Sequence, residues 1–487
     1  MKQGFNNALY VEKQTARILE RIERFNNKLY LEFGGKLFDD LHAARVLPGF
    51  DPNVKTKILQ NLKDKCEIIF CISAGDIEKN KMRADFGINY GAELLRLIKN
   101  LRGLGLLVSS IVITQFTEQP AALIFKNKLE RLGEKVYVHK FTKGYPNDVN
   151  LIVSDEGYGA NPYIETTRPL VVVNAPGPGS GKLATCLSQL YHEYKRGIKA
   201  GYAKFETFPV WNLPLKHPVN IAYEAATADL KDRNMIDYFH LEAYGVSTVN
   251  YNRDLEIFPV VKNILARILG DDKIYQSPTD MGVNMVGYAI EDDEAVQKAA
   301  QQEIIRRYFK VYCDYKQGRC DLDTAHRVEI LMNDMGISPA DRAVVAKARA
   351  AAQKTGRHAI ALQLPDGTLT VGKEKSTLDA SAAVIMNAIK KLAGLADPIK
   401  LISPAAIETI QSLKRDTLKA EATRLNLEET LIALSFSATT NPTVEYVLTM
   451  LKELRGCEAH ASAMLDEAEL QIYRKLGINI TCDPEYL

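Results

Sequence analysis

The chain has 487 residues, with 62 Lys+Arg against 60 Asp+Glu, 46% apolar and 25% charged residues. That balance implies no basic surface, makes nucleic acid a weak guess, and predicts ordinary globular cores in two or three domains. No run approaches the roughly 20 apolar residues of a membrane span, residues 1–24 contain no apolar signal core, and seven dispersed cysteines without a C-x-x-C pair read as reduced thiols, so a cytoplasmic protein without membrane, nucleic-acid or metal partners is expected.

Helical periodicity covers residues 9–25, with Ala16, Ile18, Leu19 and Ile22 on one side. A short strand, Leu29–Phe33, runs into Gly34-Gly35-Lys36 and a polar stretch with Asp39, Asp40, His42 and Arg45. Glu67–Ser73 is a continuous apolar run, the pattern of a strand buried on both faces. The charged segment 74–85 follows it. Loops after parallel strands hold ligand groups in open α/β sheets, so Asp76, Lys81, Arg83 and Asp85 are candidate ligand-binding residues. A solvated, salt-bridged loop is the alternative.

Ser110–Thr114 is a further buried strand, Pro120 opens a helix that Gly133 stops, and Lys135–Phe141 is a strand. Leu151–Val153 runs into Asp155 and Glu156 and reads as a strand end carrying two acids. It is similar to a Walker B strand, although it precedes the glycine loop that such a strand normally follows.

That loop is Ala175–Lys182, between the apolar strand Leu170–Asn174 and a helix with Leu183, Leu187, Leu190 and Tyr191 on one face. Glycines let amide N–H groups approach an anion, and the helix start adds unpaired N–H groups and a positive dipole end. Gly177, Gly179, Ser180, Gly181 and Lys182 are therefore the phosphate-binding candidates. Against Gly-x-x-x-x-Gly-Lys-Ser/Thr, Gly181 and Lys182 fit. Pro176 stands at the first glycine position and Leu183 at the Ser/Thr position, which removes the usual Mg²⁺ ligand. The expected ligand is a phosphate-bearing small molecule, a nucleotide cofactor being one form of it, with Mg²⁺ doubtful. The competing reading is a structural turn with a solvated lysine.

Ala203–Val210 is a strand leading to Trp211, and 223–230 is helical with Asp229 near its end. His240 and the run Asn250–Asp254 follow. Lys182, with Asp229 or His240 for acid–base work, forms the catalytic expectation, and Asn252, Arg253 and Asp155 join the ligand-binding set. A packing surface with a satisfied histidine is the plainer alternative.

Helices at 291–316, 322–335 and 339–354 lead to a second domain. There the strands 358–364 and 368–372 flank the hairpin turn Pro365-Asp366-Gly367. Helices at 377–392, 405–425, 428–437 and 443–455, a strand at 457–464 with His460, a helix at 466–476 and a strand at 478–481 complete it. The predicted fold is α/β: a doubly wound, mostly parallel sheet with a P-loop-like strand-turn-helix in 1–330, and a smaller α/β domain in 331–487.

Seven stretches together resemble one known family: Phe33–Lys36 with Arg45–Phe50, Asp76–Arg83, Ala175–Lys182, Tyr223–Leu230 with Asn250–Asp254, and the terminal Leu-Gly-Ile-Asn-Ile-Thr at 476–481. The chain is identified over essentially its full length as a member of the bacterial family called domain of unknown function eighteen-forty-six. The resemblance implies a P-loop-like α/β N-terminal part and a smaller C-terminal part, in a family without a characterised function. Some members are labelled ATP-dependent peptidases. Here His192-Glu193 is followed by Arg196 rather than completing His-Glu-x-x-His, and Ser180 lacks the Gly-x-Ser-x-Gly frame. Two functional expectations stand: a cytosolic enzyme acting on a phosphate-bearing small molecule, or a non-catalytic nucleotide-binding regulatory or scaffolding module, either one open to homo-oligomers.

Overall fold

The computed structural model describes residues 3–83 and 87–486, leaving out the side chain of Arg83. The chain forms two compact units, Met1–Ala300 and Gln301–Leu487. The division falls inside the helix Asp293–Lys316, upstream of the sequence-predicted boundary at 330.

Seven parallel strands build the first unit's sheet. In spatial order they are Gly282–Val283, Gly201–Phe205, Leu29–Phe33, Leu170–Asn174, Cys66–Ser73, Leu107–Thr114 and Val136–Val138. Leu170–Asn174 is buried at every position, as a central strand covered on both faces must be. The chain starts at Leu29–Phe33 and steps outward through 66–73, 107–114 and 136–138. It then returns to 170–174 and steps the other way through 201–205 and 282–283. The order reverses at Leu170–Asn174, whose C-terminal end opens the kind of crevice where doubly wound sheets bind ligands.

The helices follow local signals. Asn89 caps Tyr90–Gly103 by accepting from the Ala92 N–H, and Pro120 occupies the first turn of Pro120–Arg131. An antiparallel ribbon, Asn234–Ile236 with Val249–Tyr251, stands apart from the main sheet. Among the described residues, no helix is long and apolar enough to cross a membrane.

The second unit holds a mixed four-stranded sheet ordered Leu369–Lys373, Ala359–Gln363, Glu458–Ala461, Asn479–Cys482, with only the last pair parallel. Alternation along Ala359–Gln363 sends Ile360 and Leu362 into one core with Val384, Ile385 and Ile389 of the helix Ala380–Leu392. Ala361 faces the other way, onto Val344 and Ala348 of the helix Ala343–Thr355.

Several expected elements differ, among them the strand expected over Ala203–Val210, which is Gly201–Phe205 and ends five residues early. Leu151–Val153 is not a strand: Val149–Ile152 forms one helical turn, capped by the Asp148 carboxylate on the Leu151 N–H. The strand at 135–141 shortens to Val136–Val138. The helix at 405–425 stops at Ser412 and passes into a π-turn, Leu413–Thr417.

Candidate functional site

The glycine loop lies where the strand order reverses. Gly179 and Gly181 take φ +72° and +79°, the left-handed region that a Cβ disfavours. Pro178 and Gly179 are exposed, whereas the Ser180 side chain is buried and donates to the Gly177 carbonyl at 2.7 Å. Thr114, at the end of its strand, donates to the Ser180 carbonyl at 2.8 Å, and the Thr185 hydroxyl donates to the Gly181 carbonyl at 3.0 Å. The loop's carbonyls are thus tied inward. Lys182, Leu183 and Ala184 open the helix Lys182–Lys195, where N–H groups lack an intrahelical acceptor. Among the described residues, none of these three N–H groups has a backbone acceptor. Carbonyls tied inward and helix-start N–H groups without a backbone acceptor are the two features that anion sites at helix starts use.

Lys182 turns toward the strand Leu29–Phe33, where its Nζ lies 4.0 Å from Glu32 Oε1, both groups mostly buried. Tyr202 donates its hydroxyl to Glu32 Oε2 at 2.8 Å. Glu32 is also the register partner of Lys204 on Gly201–Phe205, so strand pairing puts the two on one face. Lys204 pairs with Glu206 at 2.8 Å and with Asp254 at 2.5 Å. A line of alternating charge thus leads from the loop lysine to Glu206.

Glu206 is 5% exposed. Burial pushes its carboxyl up to about 7, with Lys204 opposing and Asp254 adding to the shift. Burial also works against charge on Lys204, but Asp254, Glu206 and Glu32 outweigh it and hold the ammonium above the usual lysine range. Aromatic rings wall this edge. Phe208 stacks on Tyr223 with centroids 4.9 Å apart, and His42 meets both rings edge-on. Nearby, Lys55, 1% exposed, pairs with Asp40 at 2.8 Å. Burial raises the Asp40 carboxyl, and Lys55 overrides it to hold the group below the usual carboxylate range.

On the loop's other flank, Asp76 and Lys81 pair at 3.3 Å, and the Lys81 ammonium sits 5.2 Å from the Tyr90 ring centroid. Tyr90 touches the loop directly, because a Cβ on Gly177 would fall 2.4 Å from its hydroxyl oxygen. Asp76, Lys81 and Tyr90 line a cavity of about 360 Å³. Arg83 belongs to the short strand Met82–Arg83, but its side chain and Asp85 lie outside the described residues.

The remaining expected residues stay apart from the loop. Asp155, 84% exposed at its side chain, pairs with Lys195 at 3.4 Å and accepts from the Tyr191 hydroxyl at 2.6 Å. Those partners lie nine or more residues along the helix from Lys182, about 13 Å at 1.5 Å per residue. Asp229 is exposed on the 3-10 turn Ala228–Leu230. His240 Nδ1 lies 2.9 Å from the Ser277 hydroxyl, on the helix Tyr238–Tyr244. Asn252 accepts from the Arg233 N–H and closes the ribbon's end. Arg253 grips buried Asp232 through two nitrogens, at 2.5 and 2.8 Å, and places the neighbouring Asp254 beside Lys204.

Glu32, Tyr202, Lys204 and Glu206 were not expected from motifs. One signal was available: Leu-Tyr-Leu-Glu-Phe and Gly-Tyr-Ala-Lys-Phe each carry a charge inside an apolar strand, two residues after a tyrosine. A charge at a buried strand position needs a partner, and here the two strands partner each other.

The family model described as Domain of unknown function DUF1846, N-terminal, matches residues 3–336, and the DUF1846 C-terminal model matches residues 340–487. Two UPF0371 proteins, from Clostridium botulinum (strain Loch Maree / Type A3) and Clostridium tetani, are each 58% identical to the chain. A UPF0371 protein of Clostridioides difficile is 57% identical. Each alignment covers 100% of this chain and 98% of the relative. The chain belongs to the DUF1846 family, a family of unknown function.

Proposed function

We propose that this DUF1846 family member is a cytosolic enzyme that binds a phosphate-bearing small molecule on Gly177–Lys182 and acts on it with the charged line that ends at Glu206. The observation that carries this reading is the continuity of the two features. Lys182, at the anion-binding turn, is joined through Glu32 and Lys204 to a buried carboxyl near pH 7. A group titrating there can take and return a proton under physiological conditions. Lys182 and the loop N–H groups would hold and neutralise the phosphate, and Lys204 would hold Glu206 in place. The phenol of Tyr202 and the carboxylate of Asp254 complete the polar set. Asp229 and His240 have no role in this reading, because neither is in described contact with the line.

The test is thermal shift and turnover with a panel of sugar phosphates and nucleotides, with and without Mg²⁺, on wild type, Lys182→Ala and Glu206→Gln. A bound phosphate compound raises the melting temperature by mass action. The expected result is a shift in wild type and Glu206→Gln but not in Lys182→Ala, with consumption of the compound by wild type alone. The absence of a shift with every phosphate compound would overturn the binding reading. A compound that stabilises both proteins and is never consumed would replace the enzyme with a non-catalytic binding module.

A further inference from the structure

The cavity beside the loop holds features that a phosphate does not need. Its apolar walls come from the Phe125 and Tyr90 rings and from Leu95, and its rim carries Asp76, Asn80 and Lys81. Its volume of about 360 Å³ falls within the roughly 300–1,000 Å³ of small-molecule sites. The elements around it are helices. Leu95 and Tyr90 project from the helix Tyr90–Gly103, Phe125 from Pro120–Arg131, and Asp76 from the short helix Ala74–Glu78. Phe125 is seated by close packing, since a Cβ on Gly91 would fall 3.1 Å from its ring edge.

The polar groups are of a particular kind. Asp76 is a mostly buried carboxylate only partly claimed by Lys81. Asn80 accepts the Asn89 amide on its Oδ1 at 2.9 Å, and its own Nδ2 is a donor. A carboxylate acceptor, an amide donor and an ammonium along one rim, above aromatic and aliphatic walls, match a flat ring with hydrogen-bonding atoms at its edge. They do not match a sugar, which would need polar partners on all sides.

We propose that this cavity is the subsite for a planar nitrogen heterocycle, and that the ligand of the glycine loop is a nucleoside phosphate with its base placed here. Tyr90 lies between the two sites, its ring lining the cavity and its hydroxyl resting on Gly177. The Asp76 carboxylate would accept from an exocyclic amino or ring N–H group, the Asn80 amide would donate to a ring nitrogen or carbonyl, and the ring face would lie against Phe125. The assignment of the phosphate rests on the loop reading above; that of the heterocycle does not.

Calorimetric titration separates the two. The ligands are adenosine, guanosine, cytidine and uridine, their 5′-monophosphates, and ribose 5-phosphate. The proteins are wild type, Ala92→Phe, Ala121→Phe, Asp76→Ala and Lys182→Ala. Ala92 and Ala121 line the cavity near the starts of the two helices, so a phenyl group at either position fills it from the rim and not from the core. At least one nucleoside is expected to bind wild type and to weaken tenfold or more in both filled variants and in Asp76→Ala, while ribose 5-phosphate is unchanged by them. Lys182→Ala should leave the nucleosides unchanged and bring the monophosphates down to nucleoside affinity. If no nucleoside binds wild type, or if the filled variants bind nucleosides as wild type does, the heterocycle subsite is wrong. If nucleosides behave as expected and Lys182→Ala leaves the monophosphates untouched, the subsite stands and the loop reading fails.

Discussion

The hydroxyl of Tyr90 rests against the Cα of Gly177, so closely that a Cβ at that position would lie 2.4 Å from the oxygen and 2.5–2.6 Å from the ring edge. Gly177 is a glycine for space. Gly179 is one for backbone, with open surroundings and φ +72°. Gly177→Ala should therefore lower stability by about 1–3 kcal/mol through overpacking, and most of that loss should vanish when Tyr90→Ala is added. Gly179→Ala should cost about 1–2 kcal/mol from left-handed strain, unchanged by Tyr90→Ala. Urea denaturation of wild type, the three single variants and the two doubles, as two double-mutant cycles, reads both. Equal coupling at the two glycines would refute the distinction.

Glu206 predicts a pH signature. Its carboxyl titrates near 7 in the folded chain because burial disfavours its charge, against roughly 4.3 when unfolded. The folded state then binds the extra proton between those values. The contribution to stability is complete below about pH 4.3 and is lost as pH rises through about 7. The slope is at most about 1.4 kcal/mol per pH unit. Buried His139, pushed down to about 4 by desolvation, acts oppositely: its contribution is complete above about 6.5 and is lost as pH falls through 4. The difference between wild type and Glu206→Gln cancels the histidine. That difference curve, from melting at pH 5 to 8.5, should fall with pH for wild type relative to the variant. A flat difference would show Glu206 ionised throughout.

In the second unit, Arg342 is 1% exposed and its guanidinium reaches Glu458 at 2.6 Å, the carbonyls of Ala459 and Asn479, and the Thr481 hydroxyl. Burial presses its pKa down to about 10 even with Glu458 opposing the shift, and the neighbouring Arg306 adds to it. Arg306 shares Glu458 at 2.9 Å and is itself paired with buried Glu303. Arg342→Met should leave Glu458 undercompensated and remove the guanidinium donor from the Ala459 and Asn479 carbonyls, at a cost of about 3–5 kcal/mol. Hydrogen exchange should show protection falling across Glu458–Ala461 and Asn479–Cys482. A loss under 1 kcal/mol would mean that Arg306 alone carries the carboxylate.

The sheet was legible wherever one short segment held the whole signal. The apolar runs at 67–73, 110–114 and 170–174 are buried strands, and the glycine loop announces itself by composition. Leu151–Val153 misled because three apolar residues carry no period. The capping carboxylate of Asp148, outside the run, decided for a helical turn. The charged line was hidden for a different reason. Lys204 meets Asp254 fifty residues on, and Glu32 meets Lys182 only because the 170–174 strand inserts beside 29–33. Neither distance in sequence has a local signature. Tyr90 was equally silent, since its approach to Gly177 depends on the packing of a helix start against a loop more than eighty residues away.

Glu32 competes with any anion for Lys182. The two groups are 4.0 Å apart and only 15% and 13% exposed, so their attraction is weakly screened. An anion arriving at Gly177–Lys182 must draw the ammonium from that carboxylate or share it. Removing the charge with Glu32→Gln keeps an acceptor for the Tyr202 hydroxyl and should release Lys182 toward the loop. Inorganic pyrophosphate is the simplest ligand for the comparison. Its affinity should rise severalfold in Glu32→Gln, by an amount worth about 1 kcal/mol, and fall at least tenfold in Lys182→Ala. In the double variant the gain should disappear, because no lysine remains to be released. Calorimetry on the four proteins reads the cycle. If Glu32→Gln weakens pyrophosphate as much as Lys182→Ala does, the carboxylate positions the lysine for the anion and does not restrain it.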